Sequence, residues 1–285
     1  MAMATALLFP GQGSQVRGMR ELAAAGRPDL VELATKLVGD DPFERIDDGT
    51  RFAQPALYCA TIASWDSAGR PGADLLAGHS LGELAALVAA GSIAVDDGLR
   101  LAVRRGELMQ AAAEAAPGGA MLAVLGDDAL ARELAKRHLL VVANDNAPGQ
   151  LVLSGQGDAV DEVAVEAKAR GAKSVRLPVA GAFHSIAMVP AVASFRDALA
   201  RTEVRPPRAP VVSGVTAAPM VDPRGALADA LTNPVRWREV LGTLAELGAE
   251  RFVDVGPGKV LKGLVRRTLP EAEAFTLAEL EPAHA

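Results

Sequence analysis

A G-x-S-x-G pentapeptide, Gly78-His79-Ser80-Leu81-Gly82, constrains the fold of this chain more than any other stretch. It follows a short apolar run, residues 73–77, and precedes residues 84–90, which are rich in Ala and Leu and lack Pro and Gly. A strand before it and a helix after it predict a nucleophile elbow, in which glycines permit the sharp turn that exposes the serine hydroxyl. At that helix N-terminus, free N–H groups and the helix dipole favour a developing oxyanion. An ordinary glycine-rich turn also fits the pentapeptide, so the choice between that turn and a nucleophile elbow depends on the rest of the sequence.

The composition favours helices packed on a sheet. With 285 residues, the chain is long enough for one large domain, or for one domain with a smaller one inserted. Hydrophobic residues make up 50% of the sequence and aromatic residues only 4%, so the core would be mainly Ala, Leu and Val, as in a mostly parallel α/β fold. The net charge of −6 gives no general attraction to nucleic acid or to an anionic membrane surface.

The cysteine content and the first residues indicate a cytoplasmic location. A single cysteine, Cys59, excludes an internal disulfide, and no spacing typical of a metal site is present. Residues 1–9 carry no basic residue ahead of their short apolar run, which favours a first strand over a signal peptide. No apolar stretch reaches the length of a membrane span. We therefore expect a cytoplasmic protein that binds neither nucleic acid nor membrane.

The pattern between residues 120 and 179 differs from the rest of the chain. It predicts short elements in the order strand, helix, strand, strand, helix, strand, which is the ferredoxin-like split βαβ order, with a turn at residues 144–149 joining the central strands. We predict a large α/β-hydrolase-like domain with a parallel sheet, formed by residues 1–119 and 180–285. A ferredoxin-like small subdomain, residues 120–179, would be inserted into it.

A serine nucleophile needs a base, and the chain has four histidines. His79 belongs to the elbow, His138 is predicted at the exposed end of the small subdomain, and His284 is one residue from the C-terminus. His184 lies where the chain returns to the large domain, and a cleft is expected there. From spacing alone, a structural role for His184 fits as well as the role of base.

Two further polar residues lie where a ligand could reach them. Gln12 is in a tight polar turn after residues 5–9, and turns at the carboxyl ends of strands in open α/β sheets usually bind ligands. Gln12 is therefore a candidate for contact with whatever Ser80 attacks. Arg105 lies on the predicted helix 96–114, where a solvated surface arginine is the simpler interpretation.

Several segments together resemble the malonyl-CoA:acyl-carrier-protein transacylase family, and the resemblance extends over nearly the whole chain. Any one of them alone would carry little weight, whereas their joint presence in the right order is specific. In chain order they are Phe9-Pro10-Gly11-Gln12-Gly13-Ser14-Gln15, Gln54-Pro55-Ala56-Leu57, Gly78-His79-Ser80-Leu81-Gly82-Glu83, Arg105-Gly106 before Met109-Gln110, Ala143-Asn144-Asp145-Asn146-Ala147-Pro148-Gly149-Gln150, Ala182-Phe183-His184-Ser185, Asn233-Pro234-Val235-Arg236-Trp237 and Gly256-Pro257-Gly258-Lys259-Val260-Leu261.

The resemblance implies the roles of the catalytic groups. Ser80 would be acylated, and His184 would be its base. A backbone carbonyl, that of Ala230, would orient the imidazole in place of an acidic third residue. The backbone N–H groups of Gln12 and Leu81 would form the oxyanion hole.

The resemblance also implies how the substrate is recognised. Arg105 would bind the malonyl carboxylate, because a planar guanidinium pairs bidentately with a carboxylate and so prefers a dicarboxylic thioester over an acetyl one. Phe183, just before the base, is similar to the residue that accompanies malonyl units in related polyketide acyltransferases. Asn146 is expected to contact the substrate as well.

The implied reaction is a ping-pong transfer of malonyl from malonyl-CoA, through malonyl-Ser80, to the phosphopantetheine-type thiol of an acyl carrier protein. No cofactor or metal is required, since malonyl-CoA is a substrate. The short segment 19–52, residues 52–59 and Trp65 make the chain most similar to the malonate decarboxylase epsilon subunit, whose acceptor is the decarboxylase's own carrier subunit. The alternative is the housekeeping transacylase of fatty acid synthesis, with identical chemistry and a different carrier.

Two other classes of protein remain possible on the sequence. A serine hydrolase shares the elbow, but it expects an acidic residue between serine and histidine and a histidine near the C-terminus. A catalytically silent binding subunit is the second alternative. Basic residues in the connection 201–208, together with Lys262, Arg266 and Arg267, are candidates for contact with the carrier or with CoA phosphates, although solvated surface charge is the simpler interpretation.

Overall fold

The chain has a mixed α/β fold with two β-sheets. The computed structural model describes residues 3–179 and 181–280. Short 3-10 helices occupy Ile46–Asp48, Ile186–Met188 and Leu277–Glu279. The remaining elements are, in chain order, β1 (Ala4–Phe9), α1 (Met19–Gly26), α2 (Pro28–Val38), α3 (Thr50–Ser67), β2 (Leu75–Gly78), α4 (Gly82–Ala89), α5 (Val95–Ala115), β3 (Gly119–Leu125), α6 (Asp128–Arg137), β4 (Val141–Ala147), β5 (Gln150–Gln156), α7 (Gly157–Ala169), β6 (Lys173–Arg176), α8 (Val189–Arg201), β7 (Val211–Val212), α9 (Pro223–Asp229), α10 (Trp237–Glu246), β8 (Ala249–Asp254), α11 (Val260–Thr268) and β9 (Glu273–Thr276).

The larger sheet is parallel and has the strand order β7-β2-β1-β8-β9. Its central strand, β1, is covered on both faces. Leu7 and Phe9 belong to one buried apolar cluster, and Ala6 and Leu8 belong to another, which contains Trp237. A strand buried on both faces needs apolar residues at successive positions, and this is why β1 has the continuous apolar run seen in the sequence. The predicted α/β class with a parallel sheet is therefore confirmed.

The smaller sheet is antiparallel and has the strand order β4-β5-β3-β6. On one face, Leu122 and Leu153 lie in a buried cluster with residues of α6 and α7, among them Val163. On the other face, Met121 and Val152 belong to the main apolar cluster of the large sheet and its helices. The smaller sheet therefore has apolar side chains on both faces: one face packs on its own helices, and the other packs on the larger part of the molecule.

The predicted turn at residues 144–149 is wrong for residues 144–147, because β4 continues to Ala147. The Asp145 N–H donates to the Val235 carbonyl, and the Val235 N–H donates to the Ala143 carbonyl, at 2.9 Å each. Asparagine and aspartate favour turns when only local sequence is considered. Here hydrogen bonds to a distant segment hold these residues in an extended conformation, so the tertiary context overrides the local preference.

Helix α10 begins only at Trp237, after the segment that contains Pro234. The segment 230–236 is irregular and pairs through Val235 with β4. Pro234 has no N–H to donate, so the preceding residues do not continue into a regular helix. As a result, backbone carbonyls in this segment are free to accept hydrogen bonds from side chains.

Helix α3 begins at Thr50. Residues 186–188 form a 3-10 turn, and α8 follows it with Pro190 in its first turn. Strand β9 was not predicted, because it is a short edge strand without an apolar alternation. None of the described helices combines the length and hydrophobicity needed to cross a membrane.

The turn between β2 and α4 packs directly against the end of β1. The His79 N–H donates to the Phe9 carbonyl at 2.9 Å. A Cβ added at Gly82 would lie 2.0 Å from the Phe9 oxygen, and one added at Gly78 would lie 2.1 Å from the Glu83 nitrogen. Both positions therefore require glycine, because any side chain would collide with backbone.

We expect Gly82→Ala to lower the free energy of unfolding by about 3 kcal/mol, because the backbone it meets has no rotamer to change. Gly242 is the matched control: it lies inside α10 with nothing within 4 Å of an added Cβ. Gly242→Ala should therefore stabilise the protein by roughly 0.5–1 kcal/mol. Urea unfolding followed by circular dichroism measures both. Similar small effects in the two variants would contradict this account of the elbow.

Candidate active site

Ser80 lies in the turn between β2 and α4, with a φ of 54°. This left-handed conformation is uncommon for a residue with a side chain. The residue is kept there by the close packing of the flanking glycines. The structure therefore has the strand, turn and helix of the predicted elbow, with Ser80 just ahead of the first residue of α4, where free N–H groups are available.

His184 is the histidine that the fold brings to Ser80. Its Nε2 lies 3.0 Å from the Ser80 Oγ. Its Nδ1 lies 2.8 Å from the carbonyl oxygen of Ala230 and 3.1 Å from that of Asn233. Carbonyl oxygens only accept, so the proton is on Nδ1 and the lone pair of Nε2 faces the serine hydroxyl. This tautomer allows the hydroxyl of Ser80 to donate to His184.

The His184 imidazole is neutral at physiological pH. Burial lowers its pKa to about 3, and the positive charge of Arg105 acts in the same direction. The two backbone carbonyls favour the charged form but do not outweigh burial. A neutral imidazole is the form that accepts a proton, so the group beside Ser80 is ready to act as a base.

Arg105 is buried beside the same hydroxyl. Only 3% of the residue is exposed, although it carries a guanidinium. Its Nη2 donates to the Ser80 Oγ at 3.0 Å, and its Nη1 donates to the Gln54 Oε1 at 2.9 Å. Burial lowers its pKa to about 10, which leaves it protonated at neutral pH. Both hydrogen-bond acceptors are neutral, so the cation remains available to an anion that enters the site.

All the predicted site residues line one cavity of about 470 Å³. A cavity of this size can enclose a small acyl group with part of a longer chain. The smaller sheet supplies part of its wall through Met121 and Val152. The predicted residues that line it are Gln12, Ser80, Leu81, Arg105, Asn146, Phe183 and His184.

Two backbone N–H groups at this cavity are free to bind an anion. The amides of Gln12 and Leu81 donate to no other group in residues 3–179 and 181–280. Both residues line the cavity beside Ser80. Two such donors can hold the oxygen of a tetrahedral intermediate when they converge on it.

His79 and Asn146 form a second polar pair in the cavity wall. The His79 Nε2 lies 2.8 Å from the Asn146 Oδ1, and the ring of His79 packs edge-on against Trp237 with centroids 5.2 Å apart. Burial lowers the pKa of His79, so its neutral ring donates from Nε2 to the amide oxygen. The sequence pattern gave His79 only a supporting place, and the structure gives it a direct contact with a predicted substrate residue.

Glu83 and Gln54 are buried polar groups that the pattern did not single out for a role. The Glu83 Oε1 accepts from the Gly214 N–H at 2.8 Å, whereas its Oε2 has no hydrogen-bond partner among the described residues. Burial raises the pKa of Glu83 to about 7. Gln54 belongs to one of the segments that carry the resemblance, and this is the signal by which its contact with Arg105 could have been found.

The other predicted groups lie away from the cavity. The side chain of Lys262 donates to Glu279, Arg205 donates to Glu203, and Arg267 donates to Gln150. His138 contacts Glu162 and Glu166 at 3.0 and 3.1 Å. A contact between the basic clusters and a carrier or CoA therefore stays a prediction. His284 lies outside the described residues.

A nucleophile, a neutral base and a buried cation converge on one cavity at the carboxyl end of a parallel sheet, and this combination defines a serine-dependent acyltransferase. The comparison with known sequences agrees with the chemistry of the site. The chain belongs to the acyl transferase domain family, whose family model matches residues 37–284.

Individual relatives match over most of this chain. The polyketide biosynthesis protein ThaF of Burkholderia thailandensis is 39% identical over 97% of this chain, which spans 25% of that protein. The malonyl CoA-acyl carrier protein transacylase of Salmonella typhimurium is 38% identical over 96% of each chain. The solved malonyl CoA-acyl carrier protein transacylase of Coxiella burnetii has a TM-score of 0.87 and 34% identity, over 96% of this chain and 94% of that one. A structure of a type II polyketide synthase acyl-carrier protein in complex with its malonyl-transacylase has a TM-score of 0.83 and 34% sequence identity. The match covers 96% of this chain and 94% of that one.

We expect the rate of acylation of Ser80 to be level between about pH 5 and pH 8, because His184 is protonated only near its pKa of about 3. An unperturbed histidine would give an inflection near pH 6.5. The release of p-nitrophenol from p-nitrophenyl acetate measures the rate across this range. Enzyme held at each pH and then assayed near neutrality controls for inactivation. A tenfold fall in rate for each pH unit below about 6.5 would contradict the depressed pKa.

Proposed function

We propose that the protein is an acyl-carrier-protein S-malonyltransferase, which moves malonyl from malonyl-CoA to the phosphopantetheine thiol of an acyl carrier protein through malonyl-Ser80. The position of Arg105 carries this proposal. Its guanidinium is buried, lies 3.0 Å from the nucleophile and has only neutral partners. A carboxylate on the acyl group would pair with it bidentately, whereas an acetyl group would leave it without an anion.

In the first half of the reaction, the Ser80 hydroxyl gives its proton to the Nε2 of His184 as its oxygen attacks the thioester carbon. The carbonyl oxygen becomes an oxyanion, which would accept hydrogen bonds from the N–H groups of Gln12 and Leu81. The intermediate then collapses: the carbon–sulfur bond breaks, and the CoA sulfur leaves with the proton from His184. The malonyl ester on Ser80 remains, and its carboxylate stays with Arg105.

In the second half, the carrier thiol gives its proton to His184, and its sulfur attacks the ester carbon. The same oxyanion forms, the bond to Ser80 breaks, and His184 returns the proton to the serine oxygen. The two halves balance in protons and electrons, so we propose that neither metal nor bound cofactor takes part. The imidazolium that forms in each half would be stabilised by the carbonyls of Ala230 and Asn233, which lie 2.8 and 3.1 Å from its Nδ1.

We infer that the small subdomain, residues 120–179, is ferredoxin-like and that it shields the malonyl ester from water. The strand order β4-β5-β3-β6 with two helices on one face supports this assignment. Its other face contributes Met121 and Val152 to the cavity wall. We also propose that Phe183 and Asn146, which line the same cavity, contact the acyl group or the thioester.

The acceptor we propose is an acyl carrier protein of fatty acid or polyketide synthesis. The relatives named as transacylases, and the complex of a malonyl-transacylase with its carrier protein, favour this acceptor over the carrier subunit of malonate decarboxylase. Such a carrier and malonyl-CoA belong to the cytoplasm, where the buried thiol of Cys59 would stay reduced. Steady-state kcat/KM with both purified carriers tests the choice.

With radiolabelled malonyl-CoA, the wild-type protein should acquire one label on Ser80 and pass it to the carrier thiol. Ser80→Ala should acquire none, because the ester has no oxygen to form on. Gel filtration after quenching, followed by peptide mapping, measures the label. Release of all label as free malonate would identify a hydrolase instead. Unchanged transfer by Ser80→Ala would exclude the mechanism.

We expect Arg105→Ala to lose malonyl transfer by about 100-fold, or about 3 kcal/mol, while acetyl transfer is kept or increased. The carboxylate would lose its cationic partner, and an acetyl group would no longer face an unsatisfied charge. Arg104 is the matched control, since it is the neighbouring residue on α5 and its side chain is exposed and pairs with Glu107. Arg104→Ala should transfer both groups normally. An equal loss of malonyl and acetyl transfer in Arg105→Ala would assign Arg105 to the fold.

A further inference from the structure

A chain of buried and partly buried hydrogen bonds connects Arg105 to the turn that contains Gln12. The Nη1 of Arg105 donates to the Gln54 Oε1, the Gln54 Nε2 donates to the Thr50 Oγ1, and the Thr50 Oγ1 lies next to the Gln12 Oε1, each at 2.9 Å. A guanidinium only donates, so the oxygen of Gln54 must face Arg105 and its amino group must face Thr50. The hydroxyl proton of Thr50 is therefore directed to the Gln12 oxygen.

The turn around Gln12 has few hydrogen bonds of its own, although the Gly13 N–H donates to the Gln15 Oε1 at 2.5 Å. Gln12 is flanked by Gly11 and by Gly13, which has a φ of 104°. A Cβ on Gly11 would lie 2.3 Å from the His79 carbonyl oxygen, so glycine is needed where the turn approaches the elbow. Glycine on both sides allows this backbone several conformations unless contacts hold it in one. The side chain of Gln12 makes such a contact, and it connects the Gln12 peptide to Thr50 on α3.

Thr50 is well placed to be a rigid partner for Gln12. It is the first residue of α3, and it is buried. Its N–H donates to the Oε1 of Gln110 on α5 at 3.1 Å. Gly49 makes this contact possible, because a Cβ there would lie 2.4 Å from the same oxygen and its φ of 149° suits glycine. Two helices therefore fix the position of the Thr50 hydroxyl.

We propose that Thr50 is a positioning residue for the oxyanion hole: its hydroxyl holds the side chain of Gln12, and this keeps the Gln12 N–H aimed at the oxyanion that forms on Ser80. This proposal rests on the proposed function, because it needs Gln12 to act as the oxyanion donor. It adds a residue that touches neither the acyl group nor the nucleophile. An N–H that is misplaced by a fraction of an ångström stabilises the intermediate less, although substrate still binds.

Thr50→Val removes the hydroxyl and keeps the shape of the side chain. We expect a kcat for malonyl transfer about tenfold lower, or about 1.4 kcal/mol in the barrier, with an unchanged KM for malonyl-CoA. Thr50→Ser keeps the hydroxyl and should recover most of the rate. Thr61→Val is the matched control, since Thr61 lies on the same helix, is equally buried and has an Oγ1 without a partner in the described residues. It should have the wild-type rate.

A comparison of acyl donors distinguishes an effect of Thr50 on Gln12 from an effect of Thr50 on Arg105. The oxyanion forms with any acyl donor, so Thr50→Val should also slow the acylation of Ser80 by p-nitrophenyl acetate about tenfold, with Arg105 left in place to orient Gln54. A loss confined to malonyl-CoA would mean that Thr50 acts on Arg105 through Gln54, and it would overturn the proposal. A wild-type rate in Thr50→Val, or an equal loss in Thr61→Val, would overturn it too.

Gln12→Met gives a second test that leaves the buried helix intact. Methionine keeps the length and the backbone N–H but removes the oxygen that Thr50 holds, so the kcat should fall about tenfold. The double variant with Thr50→Val should be no slower than either single one, because both changes remove the same hydrogen bond. Additive losses would count against the proposal. If the wild-type protein forms no malonyl-Ser80, the proposed function itself is wrong. That result differs from every outcome described above for the Thr50 and Gln12 variants, which all begin from an active wild-type protein.

Discussion

The desolvated charge of Arg105 is the constraint on which the rest of the site depends. A guanidinium that is 3% exposed must receive hydrogen bonds from the protein or an anion from outside. The fold provides the oxygens of Gln54 and Ser80, which are neutral. Within the described residues, the nearby carboxylate of Glu83 makes no hydrogen bond to Arg105. Burial raises the pKa of Glu83 to about 7, so near neutral pH this side chain carries only part of a negative charge. In the proposed function, an incoming carboxylate would supply the anion that the protein does not provide, and a preference for a dicarboxylic acyl group would follow from the burial of Arg105 as much as from its charge.

The same charge links substrate binding to the strength of the base. Burial and the nearby positive charge of Arg105 together lower the pKa of His184 to about 3, and a base this weak accepts a proton reluctantly. A carboxylate bound to Arg105 would offset that positive charge and raise the basicity of His184. A substrate without a carboxylate would leave the base at its weakest. Selectivity for the acyl group would then act in the chemical step as well as in binding.

Part of the site could be predicted from the sequence pattern because two of its residues follow strands of one parallel sheet, whereas the roles of Arg105 and His184 came only from the family resemblance. Gln12 follows β1 and Ser80 follows β2, so an alternation of apolar runs and polar turns is enough to bring them together. The extended conformation of residues 144–147 could not be predicted, since its hydrogen bonds go to Val235, far away in the sequence. The contacts of Thr50 could not be predicted from the sequence either. A threonine at the start of a helix is common, and only the packed structure shows which groups its hydroxyl contacts.

The pairing of Val235 with β4 connects the base to the small subdomain. Val235 exchanges hydrogen bonds with Ala143 and Asp145, and the irregular segment that contains it also provides the carbonyls that orient His184. Outside the cavity, Arg238 reinforces this contact with ion pairs to Asp128 and Asp145, whose side chains are largely buried. Movement of β4 away from this segment would disturb the wall of the cavity and the orientation of the imidazole together. The same few backbone hydrogen bonds therefore support both the cavity wall and the segment that orients His184.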